Sequence, residues 1–75
     1  MGTKVKVNGF ENTQENNEIL RKIVEILYPL TSNINIIETI EVGQEFEVMP
    51  FSRKTEEEIA GEIERLMRMY SEKPF

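Results

Sequence analysis

An alternating apolar stretch from Ile34 to Phe51 constrains the fold of this chain more than any other part of the sequence. Apolar residues recur at every second position on both sides of Gly43, which is the period of a strand with one buried face. The stretch therefore predicts a β-hairpin that turns near Gly43 and needs other elements to cover its apolar face. The residues on this parity are Ile34, Ile36, Ile40, Val42, Phe46 and Val48.

The parity also restricts the turn of this hairpin. A two-residue turn at Gly43–Gln44 would pair Val42 with Glu45 and set apolar side chains opposite charged ones, so we expect an odd loop or a bulge. Pro50 has no N–H to donate to a sheet, and regular pairing should end there.

The part of the chain before the hairpin predicts a strand and a helix. Thr3 to Val7 alternates valine with lysine, which is typical of a half-buried strand. From Gln14 to about Leu27 the apolar period changes to 3.6, with Asn12 or Thr13 as the N-cap. Pro29 disfavours helical geometry at the residue before it, so the helix should end there. One arc of roughly 160° holds its apolar residues, in the order Ile26, Ile19, Ile23, Leu27, Leu20 and Val24.

The part of the chain after the hairpin predicts a second helix. Thr55 with Glu58 three residues later has the spacing of a capping box, and the acidic first turn complements the positive end of the helix dipole. The helix should run to about Tyr70. Its apolar residues form a single stripe, made of Ile59, Ile63, Leu66, Met67 and Tyr70.

The predicted order of elements is strand, helix, strand, strand, helix in one domain covering residues 1–75. This order resembles a ferredoxin-like split β-α-β unit without its final strand. The expected fold class is α+β, a two-layer domain with both helices on one face of the sheet. The sheet would have three antiparallel strands in the order 1-3-2.

Composition excludes several kinds of chemistry. The chain has no cysteine and no histidine, which removes disulfides, thiolate zinc sites and the commonest general base. We find no nucleophile or acid–base constellation, and therefore expect no enzyme activity, no cofactor and no metal site. There is no apolar run of about 20 residues and no signal-peptide core, so we expect a cytoplasmic protein that does not enter a membrane.

Charged residues suggest two further interpretations. Glu38 lies on the apolar parity of its predicted strand. Burial there would raise its pKa and suit it to act as a general acid or base. The alternative is that Glu38 lies near the end of the sheet or is turned outward.

The second helix carries an acidic outer side, which is either simply solvated or engages a basic partner. Gly61 lies on that same side, where a partner backbone could approach closely. The acidic residues are Glu56, Glu57, Glu58, Glu62 and Glu64.

Nucleic-acid binding is the alternative function from another class. It would use the outer face of the sheet together with the turn at Arg53–Lys54. The net charge of −5 opposes it, because the field of the whole chain repels phosphates. The other candidate cations are Lys4, Lys6, Arg65 and Arg68.

The predicted hairpin also places apolar side chains on the outer face of the sheet. Ile37, Met49 and Phe51 have the parity that points away from the helices, and an exposed apolar cluster often marks an interaction surface. The sequence therefore predicts a small acidic protein-interaction module, an adaptor, inhibitor or assembly subunit of the kind found in phages and mobile elements. Its partner would be another protein or a second copy of the chain. The expected partner-binding residues are Ile37, Met49, Phe51, Glu57, Gly61 and Glu64.

Overall fold

A computed structural model describes residues 2–29, 37–50 and 52–71 of the chain. These residues form two strands and two helices, which confirms the α+β class. The elements in chain order are β1 (Thr3–Val5), α1 (Gln14–Leu27), β2 (Phe46–Val48) and α2 (Glu56–Ser71).

β1 and β2 pair as an antiparallel two-stranded sheet. Thr3 lies opposite Val48, and Val5 lies opposite Phe46. The first strand is therefore adjacent to the strand that follows Gly43, as the predicted order 1-3-2 required. Val5 and Val48 point inward and are fully buried, whereas Lys4 is on the exposed side of the sheet.

The first strand of the predicted hairpin is wrong over residues 37–42, which contain no strand. In this segment the chain turns, with Ile40 N–H donating to the carbonyl of Ile37 at 3.1 Å and Gln44 N–H donating to Glu41 at 3.3 Å. Gly43 has φ +84°, a left-handed conformation that suits glycine. The three-stranded sheet is not confirmed, and predicted strand residues 34 and 36 lie outside the described part of the chain.

The backbone of this turn is bonded to other elements, which explains why it does not need a strand partner. Val42 N–H donates to Asn17 Oδ1 at 2.9 Å, and Arg21 Nε donates to the carbonyl of Ile40 at 2.9 Å. Gly43 N–H donates to the carbonyl of Val7 at 2.8 Å. Residues 40–43 are held in this way by α1 and by the chain after β1, and we call them the clasped turn. Ile40 and Val42 still point inward and are buried.

Both helices begin where the sequence predicts. Thr13 caps α1, its Oγ1 accepting from Asn16 N–H at 3.1 Å. Thr55 and Glu58 form a reciprocal capping box before α2: Thr55 Oγ1 accepts from Glu58 N–H at 3.2 Å, and Glu58 Oε1 accepts from Thr55 N–H at 3.1 Å. α1 ends at Leu27, before Pro29, as expected.

The core lies where α1 packs against α2 and α2 packs against β1. Two residues predicted for it are exposed instead, Ile26 at 64% and Tyr70 at 50%. Ile26 is at the edge of the apolar arc of α1, and Tyr70 is in the last turn of α2. The buried apolar residues are Val5, Val7, Leu20, Ile23, Val24, Tyr28, Ile40, Val42, Phe46, Val48, Ile59, Ile63 and Met67.

Candidate functional site

A shallow concavity lies on the outer surface of α2, around Gly61. The segment before the helix forms one wall through Lys54, and the first two and a half turns of α2 form the rest. We call it the Gly61 concavity, lined by Lys54, Glu57, Glu58, Gly61, Glu62 and Arg65. Two predicted partner-binding residues, Glu57 and Gly61, thus share one surface. Glu64 is not among the lining residues, and its carboxylate lies 4.0 Å from the guanidinium of Arg68.

Gly61 leaves the helix backbone uncovered at the centre of this concavity. A Cβ added at this position would meet no atom within 4 Å. Glycine inside a helix costs about 1 kcal/mol relative to alanine. Neither a tight contact nor a positive φ requires glycine at this position of the described structure. Packing within the domain therefore gives no reason for glycine at position 61.

Glu62 connects the concavity to the core. Its Oε1 accepts from the buried Tyr28 hydroxyl at 2.8 Å, and Lys54 Nζ lies 3.3 Å from its Oε2. Burial, with the hydrogen bond to Glu62 and the charge of Glu62, raises the pKa of Tyr28. Both Lys54 and Glu62 are therefore fixed in position on one side of the concavity.

Glu58 is also committed to a structural contact. The backbone N–H and the hydroxyl of Thr55 bind its carboxylate and lower its pKa. Glu57 and Arg65, by contrast, are exposed, and neither has an ion pair with any other residue that the structure describes. Of the lining side chains, these two are the best placed to meet a ligand from outside.

The apolar cluster predicted for the outer face of the sheet is not formed by the described residues. Ile37 is half-buried and packs against the core, because the chain turns at this position and does not form a strand. Its placement on an outer face is therefore wrong. Met49, directly after β2, is 39% exposed, while Phe51 lies outside the described residues.

The remaining candidates do not form a chemical site. Glu38 is exposed, which agrees with the interpretation that it faces solvent. The cations are interleaved with carboxylates: Lys54 pairs with Glu62, and Lys4 lies opposite Glu47 in the sheet.

Residues 2–29, 37–50 and 52–71 contain no group of three acidic side chains arranged to hold a metal ion. Within the same ranges, neither helix is long and apolar enough to cross a bilayer.

A second surface feature is an apolar groove between α1 and the end of α2. We call it the α1–α2 groove, lined by Ile19, Lys22, Ile23, Ile26 and Tyr70. The sequence did not predict this groove, because Ile26 and Tyr70 lie on the apolar stripes that we expect to pack in the core. The signal that could have found it is the position of Ile26 at the extreme edge of the apolar arc, where coverage by a neighbouring element is least certain.

Comparisons of the chain with protein-family models, with curated proteins and with solved structures find no match.

Proposed function

We propose that this domain is a protein-interaction module whose partner protein binds at the Gly61 concavity. The observation that supports this most directly is a helical glycine that no intramolecular contact requires. A residue that lowers the stability of the free domain is expected where another molecule makes use of it. At Gly61 the missing side chain would let a partner backbone or a small side chain lie directly on the surface of α2.

The charges around Gly61 indicate what kind of partner fits. The whole chain carries a net charge of −5, and α2 begins with three consecutive glutamates. Glu57 offers an exposed carboxylate beside Gly61, and Arg65 offers exposed N–H donors on the other side. A basic segment of a partner would pair with Glu57, while a carbonyl of its backbone would accept from Arg65. Such a domain would serve as an adaptor, an inhibitor or a subunit of an assembly.

Affinity capture with matched variants tests this proposal. Gly61→Gln fills the concavity with a side chain that favours helix, so the domain should stay folded while it loses its partner. Met69→Gln is the control, because Met69 is 66% exposed and does not line the concavity. The expected result is that proteins captured from source-cell extract by the parent and by Met69→Gln are lost with Gly61→Gln. Capture unchanged by Gly61→Gln would contradict the proposal.

Nucleic-acid binding at the outer sheet face and the Arg53–Lys54 turn has less support. Arg53 is exposed, but Lys54 is held by Glu62, and Lys4 faces Glu47 across the sheet. A filter-binding assay with single- and double-stranded nucleic acid, at low and then at higher salt, distinguishes the two functions. We expect no retention at either salt. Cytoplasmic location and the lack of enzyme activity stay predictions.

A further inference from the structure

We infer that Asn8 and Gly9 form a site of spontaneous modification, at which Asn8 loses ammonia from its side chain and becomes isoaspartate or aspartate. The pair lies in the connection between β1 and α1. Water is the co-reactant, and the chain itself supplies the attacking group. The site is separate from the Gly61 concavity, because neither residue lines it.

Both reacting groups of this pair are accessible and unbonded. Asn8 and Gly9 are exposed. Among the residues that the structure describes, neither the Asn8 carboxamide nor the Gly9 N–H has a hydrogen-bond partner. Gly9 has φ +92°, and a Cβ added to it would meet no atom within 4 Å. The Gly9 nitrogen therefore has no side chain of its own residue beside it, and open space surrounds the position where a ring would close.

The reaction is an internal substitution at the side-chain amide. The Gly9 backbone nitrogen attacks Asn8 Cγ, and a new C–N bond forms as the bond from Cγ to Nδ2 breaks. Ammonia leaves with the proton that the Gly9 nitrogen gives up, and a succinimide ring remains. Water then opens the ring: attack at the Asn8 backbone carbonyl carbon leaves isoaspartate, and attack at Cγ leaves aspartate. No atom is oxidised or reduced, and either product makes the net charge of −5 more negative.

The other asparagines in the described part of the chain lack this combination. The N–H that follows Asn12 donates to the carbonyl of Glu11 at 3.0 Å, and the N–H that follows Asn16 donates to the carbonyl of Thr13 at 2.9 Å. Asn17 lies within α1, and both ends of its amide are bonded. A backbone nitrogen held in such a bond reaches the neighbouring side chain only after local unfolding. The fold therefore selects one asparagine, in the connection after β1.

Isoaspartate at residue 8 would disturb the contact that holds the clasped turn. It inserts one extra backbone atom between Val7 and Phe10, because the chain then runs through the side chain of residue 8. Val7 is fully buried and its carbonyl accepts from Gly43 N–H, while Phe10 packs against the core. A longer backbone between two packed residues so close in sequence shifts the packing of at least one of them. Aspartate adds the same charge without the extra atom.

Incubation of the full chain in heavy-oxygen water, followed by digestion in ordinary water and mass spectrometry, tests the reaction. The peptide that contains Asn8 should gain one heavy oxygen and separate into two products of equal mass, with isoaspartate the more abundant. Conversion should be faster at mildly alkaline pH than at neutral pH, since base removes the proton of the Gly9 N–H. Asn8→Gln is the control, because its longer side chain has to close a larger ring, and its peptide should stay unchanged.

Glu18→Gly tests whether the fold selects the site. Glu18 is exposed, and the change creates a second asparagine–glycine pair at Asn17, inside α1. In the folded variant Asn17 should react at least about tenfold more slowly than Asn8. In concentrated urea the two asparagines should react at similar rates, because the hydrogen bonds that protect Asn17 are then lost. Circular dichroism verifies that the variant is folded before incubation.

Chemical unfolding of the separated products tests the consequence for the fold. The isoaspartate form should unfold at a lower urea concentration than the parent. Freshly purified Asn8→Asp carries the added charge without the extra backbone atom, and should unfold at the same urea concentration as the parent because residue 8 is exposed.

Three results would overturn the inference. The first is an Asn8 that stays intact in the folded chain while the chain in urea is converted, because the fold would then close the site. The second is equal conversion of Asn8 and Asn17 in folded Glu18→Gly. The third is an isoaspartate form that is as stable as Asn8→Asp. None of these results bears on capture at the Gly61 concavity, which Gly61→Gln tests separately.

Discussion

The Oδ1 atom of Asn17 on α1 accepts a hydrogen bond from the backbone N–H of Val42 at 2.9 Å, joining two residues 25 positions apart. The Nδ2 atom of the same side chain donates to Asn12 Oδ1 at 2.7 Å. Both ends of the amide are therefore bonded, which offsets the free-energy cost of its near-complete burial. This contact fixes the clasped turn on α1.

Asn17→Ala should destabilise the fold by about 2 kcal/mol, because it leaves the buried N–H of Val42 without an acceptor. The measurement is urea unfolding of the variant and the parent. Gln14→Ala is the control, since Gln14 is exposed and should change the free energy of unfolding by less than about 0.5 kcal/mol. Equal effects of the two changes would show that the contact between α1 and the turn does not contribute to stability.

Thr55→Ala should lower the free energy of unfolding by about 1 kcal/mol, because the N-terminus of α2 loses its cap. Urea unfolding of the variant and the parent measures this difference.

Glu58 should make the stability of the fold depend on pH. The Glu58 pKa is lowered in the folded protein, so the bonds from Thr55 to its carboxylate stabilise the fold above the ordinary glutamate pKa. That contribution is lost as the pH falls through the lowered, folded-state pKa. Melting temperature measured against pH should therefore fall less steeply in acid for Glu58→Gln than for the parent. Parallel acid profiles would mean that Glu58 does not titrate in this way.

Tyr28 should ionise at higher pH than a free tyrosine. Its pKa is raised by burial and by Glu62, so the fold holds the phenol neutral. This contribution to stability is complete below the ordinary pKa of about 10 and is lost as the pH rises through the folded-state value. Tyr70→Phe leaves Tyr28 as the one tyrosine in the chain, and ultraviolet titration of that variant reports Tyr28 alone. Phenolate absorbance appearing near pH 10 without unfolding would contradict the burial and the hydrogen bond.

Ile37→Lys should destabilise the domain by about 1–2 kcal/mol, because Ile37 packs against the core and loses part of its apolar burial. Met69→Lys makes the same chemical change at an exposed site and should be nearly neutral. Chemical unfolding of both variants and the parent measures the two changes in the free energy of unfolding. A neutral Ile37→Lys would restore the interpretation that this side chain faces solvent.

Gly61→Ala should stabilise the free domain by about 1 kcal/mol. The added methyl enters open space, and alanine favours the helix. A higher melting temperature is the expected result. A lower one would show that Gly61 is needed for the fold itself, which would remove the main support for a partner at the concavity.

Sequence alone determined the two helices and their ends. α1 covers the predicted range because apolar residues at a period of 3.6 are preceded by a cap and followed by Pro29. The capping box of α2 forms as predicted because Thr55 and Glu58 are close in sequence and need no other element. The antiparallel pairing of the first strand with the strand that follows Gly43 was also predicted, whereas the three-stranded sheet is not confirmed. Of the candidate site, Glu57 and Gly61 share one surface because both lie on the outer side of a correctly predicted helix.

Tertiary structure alone decided the conformation of residues 37–43. Alternating apolar residues occur both in a strand and in a turn that inserts every second side chain into a core, so the period of two could not separate them. The outcome depended on Asn17, Arg21 and the carbonyl of Val7, which bind the backbone that a neighbouring strand would otherwise have bound. These partners are distant in sequence. The exposure of Ile26 and Tyr70 was likewise decided by how far the covering elements extend, which helical periodicity does not specify.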